Sequence, residues 1–118
     1  MIIVYGISNC DSVKKARAWL AERGLACEFH DFKKLGVPTD RLAAWEHAVG
    51  WEKLLNRQGT TWRKLDAAAQ AGIKDAASAM ALMQAQPSII KRPVVEWGPK
   101  GSATTVGFDP ASWAARLS

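Results

Sequence analysis

The fold of this chain is decided by the stretch Val4-Tyr5-Gly6-Ile7-Ser8-Asn9-Cys10-Asp11-Ser12-Val13-Lys14-Lys15, where an apolar segment gives way to a polar one. Residues 1–5 are apolar and rich in β-branched side chains, a pattern typical of a strand that is buried on both faces. Gly6 ends this run. The sequence therefore predicts a buried first strand that leads directly into the segment carrying Cys10.

The segment after this strand has the features of a helix start. Ser8 and Asp11 have the spacing of a capping box, and Asn9 is an alternative N-cap. Either alternative places the first helical turn at about Cys10.

Cys10 is therefore predicted to lie among backbone N–H groups that have no partner within the helix. These groups and the helix dipole favour the thiolate over the thiol, and Lys14 and Lys15 add positive charge one turn further on. The sequence thus predicts a lowered pKa for Cys10. The alternative is that Cys10 is a small buried hydrophobic residue, which is a common fate of a free cysteine.

The length and composition bound the class of protein. A chain of 118 residues fits one domain and can bury a core without disulfide bonds. No apolar run approaches the length of a membrane span, and the N-terminus lacks a signal-peptide pattern, so we expect a cytoplasmic protein with no membrane association. The net charge of +5 comes from scattered residues. It favours small anions or acidic partners and predicts no direct binding of nucleic acid.

The rest of the chain alternates strands and helices. The first helix is predicted for residues 10–23 with Gly24 as its C-cap, a second strand for residues 26–32, and a helical insertion for residues 38–86, with helices from Pro38 to Gly50, from 66 to 71 and from 75 to 86. Strands follow at 89–97 and 104–108, joined by a turn at 98–102, and a last helix begins at Asp109-Pro110. The order β-α-β, helices, β-β-α predicts the α/β class, with a mixed four-stranded sheet in a single domain spanning residues 1–118.

Cysteine and histidine are the other residue types that could form a disulfide or a metal site. The two cysteines lie at opposite ends of the predicted βαβ unit, because Cys10 follows the first strand and Cys27 begins its parallel neighbour. We therefore expect no disulfide, and Cys27 is a poor resolving thiol. His30 is expected at the surface or a sheet edge, with no second ligand at metal-binding spacing, so no metal site is predicted.

The chain resembles the arsenate-reductase (ArsC)-related branch of the thioredoxin superfamily, close to the Spx and YffB proteins. The matching residues are Tyr5-Gly6 with Asn9-Cys10 and Lys14-Lys15-Ala16-Arg17, Leu54-Leu55-Asn56-Arg57 with Thr61-Trp62-Arg63-Lys64-Leu65, and Gln86-Pro87-Ser88-Ile89-Ile90-Lys91-Arg92-Pro93-Val94. The resemblance implies a thioredoxin-like fold with a helical insertion and a cis-proline at Pro93. It also implies that Cys10 is the redox-active thiol and that Arg92 is the basic residue beside it.

The chain departs from this family at two kinds of position. Arsenate reductases of this type surround the cysteine with three arginines, of which the resemblance supplies only Arg92. The second position is Asn56, with Arg57 adjacent, and no arginine stands near Gly107-Phe108. Spx regulators carry a second cysteine three residues after the first, where this chain has Val13.

A single activated thiolate needs an external thiol to release it from a mixed disulfide. We therefore expect a glutathione-dependent thiol–disulfide oxidoreductase without a tightly bound cofactor, in which Cys10 and Arg92 are catalytic. The residues expected to bind glutathione are Asn9, Lys14, Asn56, Arg57, Lys91 and Pro93. The alternatives are an arsenate reductase that uses glutathione and glutaredoxin, and a non-catalytic regulator that binds RNA polymerase. A protein disulfide is the other expected partner.

Overall fold

The computed structural model describes residues 2–98 and 103–117. Their elements, in chain order, are β1 (Ile2–Gly6), α1 (Asp11–Glu22), β2 (Cys27–Asp31), α2 (Phe32–Leu35), α3 (Thr39–Val49), α4 (Trp51–Leu54), α5 (Thr60–Arg63), α6 (Ala67–Ala71), α7 (Ala76–Ala85), a 3-10 turn (Pro87–Ile89), β3 (Val94–Glu96), β4 (Thr104–Val106) and α8 (Pro110–Leu117). The greater part of the predicted turn at 98–102 lies outside the described residues.

The chain divides into two compact units. The sheet unit comprises the described residues up to Asp31 and those from Arg92 onward, and the helical unit is Phe32–Lys91. The predicted insertion, residues 38–86, falls inside the helical unit. That the whole chain forms one domain stays a prediction.

The sheet has four strands in the order β2-β1-β3-β4. β1 runs parallel to β2, with Ile2 opposite Cys27 and Gly6 opposite Asp31. β3 is antiparallel to both β1 and β4. This arrangement confirms the α/β class and the mixed four-stranded sheet, and it is the thioredoxin-like architecture that the resemblance implies.

One face of the sheet packs against α1 and α8. The buried side chains that form this core are Ile2, Val4, Ala16, Trp19, Leu20, Val95 and Trp113. Trp113 is its centre, because its ring meets Trp19 and Trp97 edge-on, with centroids 5.6 and 4.9 Å away. Such edge-to-face contacts add to the stabilisation from apolar burial, so this aromatic group fixes both helices on the sheet.

The opposite face of the sheet carries a buried polar contact. The Tyr5 hydroxyl donates a hydrogen bond of 3.1 Å to Glu96 Oε1, and both side chains are buried. The ring of His30, on the edge strand β2, packs against Tyr5 with the centroids 5.0 Å apart. His30 thus lies at a sheet edge, as predicted, where it has a packing role.

Replacement of Tyr5 by phenylalanine tests the contribution of this contact. We expect Tyr5→Phe to lower the free energy of unfolding by about 1–3 kcal/mol, because a buried carboxylate loses a hydrogen-bond donor. Urea denaturation followed by circular dichroism measures this difference. An unchanged unfolding midpoint would show that the hydrogen bond contributes nothing to stability.

The helical unit confirms most of the predicted insertion. Asp66 caps α6 by accepting from the Ala69 N–H at 2.7 Å, and Asp75 forms a capping box with Ser78 at the start of α7. Its buried core includes Leu42, Trp45, Leu54, Ala79 and Met83.

The strand predicted for residues 89–97 is wrong over its first half. The 3-10 turn of Pro87–Ile89 precedes an isolated bridge between Ile90 and Leu55. The Lys91 N–H donates to the Leu54 carbonyl at 2.7 Å, and the Asn56 N–H donates to the Ile89 carbonyl at 2.9 Å. Ile89 and Ile90 therefore pair within the helical unit, and of the predicted strand only Val94–Glu96 joins the sheet.

Candidate active site

Cys10 begins α1 and occupies the N-cap position itself, with φ −87° and ψ 128°. Its N–H donates to the Ile7 carbonyl at 3.1 Å, and its carbonyl accepts from the Lys14 N–H at 2.9 Å. The predicted caps, Ser8 with Asp11 or Asn9, are therefore wrong by one or two residues. The Cys10 side chain makes no capping hydrogen bond, but the N–H groups of Ser12 and Val13 act on its sulfur and lower the pKa of the thiol.

The environment of the sulfur lowers the pKa of Cys10. Partial burial has the largest single effect and raises the pKa, since it disfavours the charged form. This is outweighed by the Val13 N–H, by the hydrogen bond and positive charge of Arg92, and by the Ser12 N–H. Cys10 remains partly exposed. The thiolate is thus both stabilised and open to a reactant.

Arg92 reaches the sulfur from the segment that leads into β3. The Arg92–Pro93 peptide bond is cis, and the buried Pro93 accepts from the Gly107 N–H at 2.8 Å through its carbonyl. Because β3 pairs with β1, and Cys10 follows β1, the two strands place the cation and the thiol at the same end of the sheet.

The start of α1 also depends on a close approach between Gly6 and Val13. A Cβ atom on Gly6 would lie 2.6 Å from Val13 Cγ2, which is closer than two carbon atoms can pack. Val13 is fully buried. Glycine at this position therefore lets α1 sit directly against the end of β1, with the Val13 N–H at the sulfur.

Gly6→Ala tests this close approach. We expect the added methyl group to displace the start of α1, to lower the free energy of unfolding by about 1–3 kcal/mol, and to slow alkylation of Cys10 by iodoacetamide. Gly72→Ala is the matched control, because a Cβ there would lie at ordinary contact distances of 3.4 and 3.6 Å. Equal effects of the two substitutions on stability and on alkylation would contradict the account.

Cys27 is far from the candidate site. It pairs with Ile2 at the opposite end of the β1–β2 ladder from Gly6 and Asp31. Four residues of strand separate these ends by about 13 Å, well beyond the Cα distance of a disulfide. Both cysteines are free thiols. The expectation that Cys27 does not resolve a disulfide on Cys10 agrees with this geometry.

The family follows from comparison with known proteins. The model of the ArsC family matches residues 5–116. This chain belongs to the ArsC family. A curated protein of Haemophilus influenzae, described as uncharacterized, is 36% identical over 115 residues, which cover 98% of this chain and 97% of that protein.

Solved structures of the ArsC family agree with the fold. A structure named YffB protein is 49% identical, covers both chains completely and superposes with a TM-score of 0.91. An arsenate-reductase-related protein of Brucella melitensis is 47% identical over 98% of this chain and 93% of its own, with a TM-score of 0.75. Both share the ArsC-type architecture with this chain.

The remaining residues expected to bind a ligand are distributed over both units. Asn9 and Lys14 are exposed in the sheet unit, on either side of Cys10 in the sequence. Asn56, Arg57 and Lys91 belong to the helical unit. Near Gly107, where the third arginine of an arsenate reductase would stand, the Phe108 ring packs against Trp113 at 5.0 Å. The sheet unit thus brings one arginine, Arg92, to the sulfur.

The described residues contain no group of three or more His, Cys, Asp or Glu side chains that could hold a metal ion. None of the helices in residues 2–98 and 103–117 is long and apolar enough to cross a membrane.

The role of Arg92 at the sulfur predicts a shift in the pH dependence of Cys10. Alkylation follows the thiolate fraction, so the lowered pKa places its midpoint below that of an ordinary cysteine. Arg92→Gln removes a donor and a positive charge, and we therefore expect the midpoint to move to higher pH. Lys15→Gln is the control for loss of an exposed positive charge on α1. The sequence predicts that Lys15 also favours the thiolate, but it is not among the groups that lower the pKa of Cys10 in the structure, so we expect a smaller shift of the midpoint.

Rates of iodoacetamide alkylation measured across a pH series in a Cys27→Ser background give both midpoints. If Arg92→Gln left the midpoint in place, or if Lys15→Gln moved it as far, Arg92 would not be the cation that stabilises the thiolate.

Proposed function

We propose that this protein is a glutathione-dependent thiol–disulfide oxidoreductase that uses Cys10 as its nucleophile. The observation that carries the proposal is the partly exposed Cys10 at the N-cap of α1, where the Val13 N–H and Arg92 lower the pKa of the thiol. A stabilised, partly exposed thiolate is the reactive form of cysteine in disulfide exchange. Membership of the ArsC family supports redox chemistry at this cysteine.

The proposed reaction has two exchange steps. The Cys10 thiolate attacks the glutathione sulfur of a mixed disulfide, a new S–S bond forms, and the substrate sulfur leaves as a thiolate that takes up a proton. A second glutathione thiolate then attacks the Cys10–glutathione disulfide. Oxidised glutathione leaves and the Cys10 thiolate is restored. Each turnover therefore consumes one glutathione thiol, and the oxidised glutathione contains that sulfur and the one that was already bound in the mixed disulfide.

Val13 is the reason for the second, external thiol. Its position is that of the second cysteine in a Cys-x-x-Cys motif, and its side chain is fully buried. Neither Val13 nor the distant Cys27 supplies a thiol to attack a disulfide on Cys10. Glutathione is the abundant cytosolic thiol that fits this requirement, and the proposal therefore places the protein in the cytoplasm.

Binding of glutathione is proposed to use its two carboxylates. In the sheet unit the basic partners are Lys14 and Arg92, with Asn9 and Pro93 as neighbouring contacts. Asn56, Arg57 and Lys91 are proposed to contribute from the helical unit. Charge-assisted hydrogen bonds to a carboxylate are stronger than neutral ones, so removal of these basic groups should raise the KM for glutathione.

Arsenate reduction is the second candidate. Arg92 at the Cys10 sulfur favours it, since a guanidinium suits an oxyanion as well as a thiolate. Among the described residues of the sheet unit, Arg92 is the one arginine that acts on the sulfur, and this counts against arsenate reduction. Arsenate-dependent oxidation of glutathione, assayed with and without glutaredoxin, distinguishes this activity from simple disulfide exchange. If this protein has neither activity but captures RNA polymerase, the alternative of a non-catalytic regulator is favoured instead.

Replacement of the two cysteines tests the proposed nucleophile. In an assay that couples reduction of a glutathione mixed disulfide to glutathione reductase, we expect Cys10→Ser to lower kcat/KM by about a thousandfold or more, because serine is a far weaker nucleophile. Cys27→Ser is the matched control and should leave the rate within about twofold. Substantial turnover by Cys10→Ser would overturn the proposal.

A further inference from the structure

The helical unit holds one arginine against two tryptophans. The Arg57 guanidinium carbon lies 5.4 Å from the centroid of the Trp51 ring and 5.8 Å from that of Trp62. Trp51 is the first residue of α4, Trp62 belongs to α5, and Arg57 lies in the loop between these helices. Each distance is within the range of a cation–π contact, and two rings acting on one guanidinium restrict its position.

The turn that carries Arg57 is fixed by its neighbour Asn56. The Asn56 side-chain oxygen accepts from the Gln58 N–H at 3.1 Å, which closes an Asx turn around Arg57. The Asn56 N–H donates to the Ile89 carbonyl at 2.9 Å. A Cβ atom on Gly59 would lie 2.8 Å from Asn56 Nδ2, so the end of the turn packs closely against the same amide. Asn56 therefore has a structural role that the sequence did not reveal.

The helix that carries Trp62 is anchored from two directions. The side-chain amide of Gln70 donates to the Trp62 carbonyl at 3.0 Å, and the hydroxyls of Thr61 and Ser88 share a hydrogen bond of 2.8 Å. Trp51 and Trp62 are partly buried, whereas Arg57 is exposed. The rings are thus set in the folded unit and the guanidinium faces solvent.

Contacts with aromatic rings use the π-faces and do not consume hydrogen-bond donors. The N–H edges of the exposed Arg57 therefore stay open to a ligand, and their fork matches the two oxygens of a carboxylate. A guanidinium that is already positioned loses less side-chain entropy on binding than a free one. The arrangement is pre-organised for an anion.

The surrounding charge is favourable for an anion. Residues 53–65 contain four basic side chains, Lys53, Arg57, Arg63 and Lys64, and no acidic one. The helical unit as a whole has nine Lys and Arg residues against five Asp and Glu, so it carries +4 of the net charge of +5. A positive potential of this kind raises the local concentration of anionic ligands.

We propose that Arg57, positioned by Trp51 and Trp62, is a carboxylate-binding site within the helical unit. The two indoles make the environment of the fork partly apolar, which favours a planar, singly charged carboxylate over a strongly hydrated phosphate. The carboxylate belongs either to a small acid or to an acidic segment of a protein. This carboxylate site deepens the proposed function, in which Arg57 is one of the residues proposed to bind glutathione. Its residues belong to the helical unit, and its test does not require disulfide exchange at Cys10.

NMR titration of the full chain with Cys10→Ser tests the site in the absence of disulfide exchange. The readouts are the indole N–H signals of Trp51 and Trp62, assigned by Trp→Phe substitution. The probes are glutathione, a blocked triglutamate peptide, inorganic phosphate and, as the control without free carboxylates, the diethyl ester of glutathione. Circular dichroism verifies that each variant is folded.

We expect saturable shifts of both indole signals with at least one carboxylate probe, and the probe that gives them identifies the source as a small acid or a peptide. Arg57→Gln should weaken this binding about tenfold or more, and Arg57→Lys should give an intermediate loss because it keeps the charge without the fork. Arg63→Gln, the matched control, should change affinity less than threefold or so.

Four results would overturn the site: no saturable shift with either carboxylate probe, equal shifts with the diester, tighter binding of phosphate, or binding that survives Arg57→Gln. These results would remove Arg57 from the proposed glutathione contacts. Because the titration uses Cys10→Ser, they leave the proposed disulfide exchange at Cys10 untouched. Loss of turnover in the glutathione assay would likewise leave the carboxylate site untouched.

Discussion

The position of the Cys10 sulfur at the start of α1 is the feature on which the proposed chemistry of this protein depends. A helix start offers unpaired N–H groups, and here those of Ser12 and Val13 lower the pKa of the thiol. Burial alone would raise the pKa of the thiol. The N–H groups and Arg92 outweigh the effect of burial, so the pKa of the partly buried thiol is lowered. Without the N–H groups of the helix start, Arg92 would oppose the effect of burial without their help.

Three features of the sheet unit position the groups that act on the Cys10 sulfur. Gly6 allows the buried Val13 side chain to approach β1, which brings the Val13 N–H to the sulfur. The antiparallel pairing of β1 with β3 carries Arg92 to the same end of the sheet. On the face of the sheet opposite α1 and α8, the Tyr5 hydroxyl on β1 donates a hydrogen bond to Glu96 on β3. The strands that present the thiol and the guanidinium are therefore joined by backbone pairing and by a buried side-chain hydrogen bond.

The sequence predicts the elements of this fold better than their partners. The β-α-β order and the helices that begin at Asp66, Asp75 and Asp109 follow from local patterns, because a cap and the residues it serves lie within one turn. The N-cap of α1 is Cys10 and not the predicted Ser8 or Asn9, because cysteine is not among the residues of the usual capping pattern. Ile89-Ile90 has the apolar pattern of a strand in the sheet, but an apolar pattern does not specify which segment will pair with these residues. The link between Tyr5 and Glu96, 91 residues apart, and the ring contacts of Arg57 are likewise tertiary and leave no local signal.

The proposed redox chemistry uses one thiol, activated where α1 begins, together with an external thiol. Intact-mass measurement after limited exposure to oxidised glutathione at neutral pH, followed by peptide mapping, tests it most directly. We expect one glutathione per chain, bound to Cys10, with Cys27 unmodified, and release of the adduct by reduced glutathione. Modification of Cys27 ahead of Cys10, or a disulfide between the two cysteines, would contradict it.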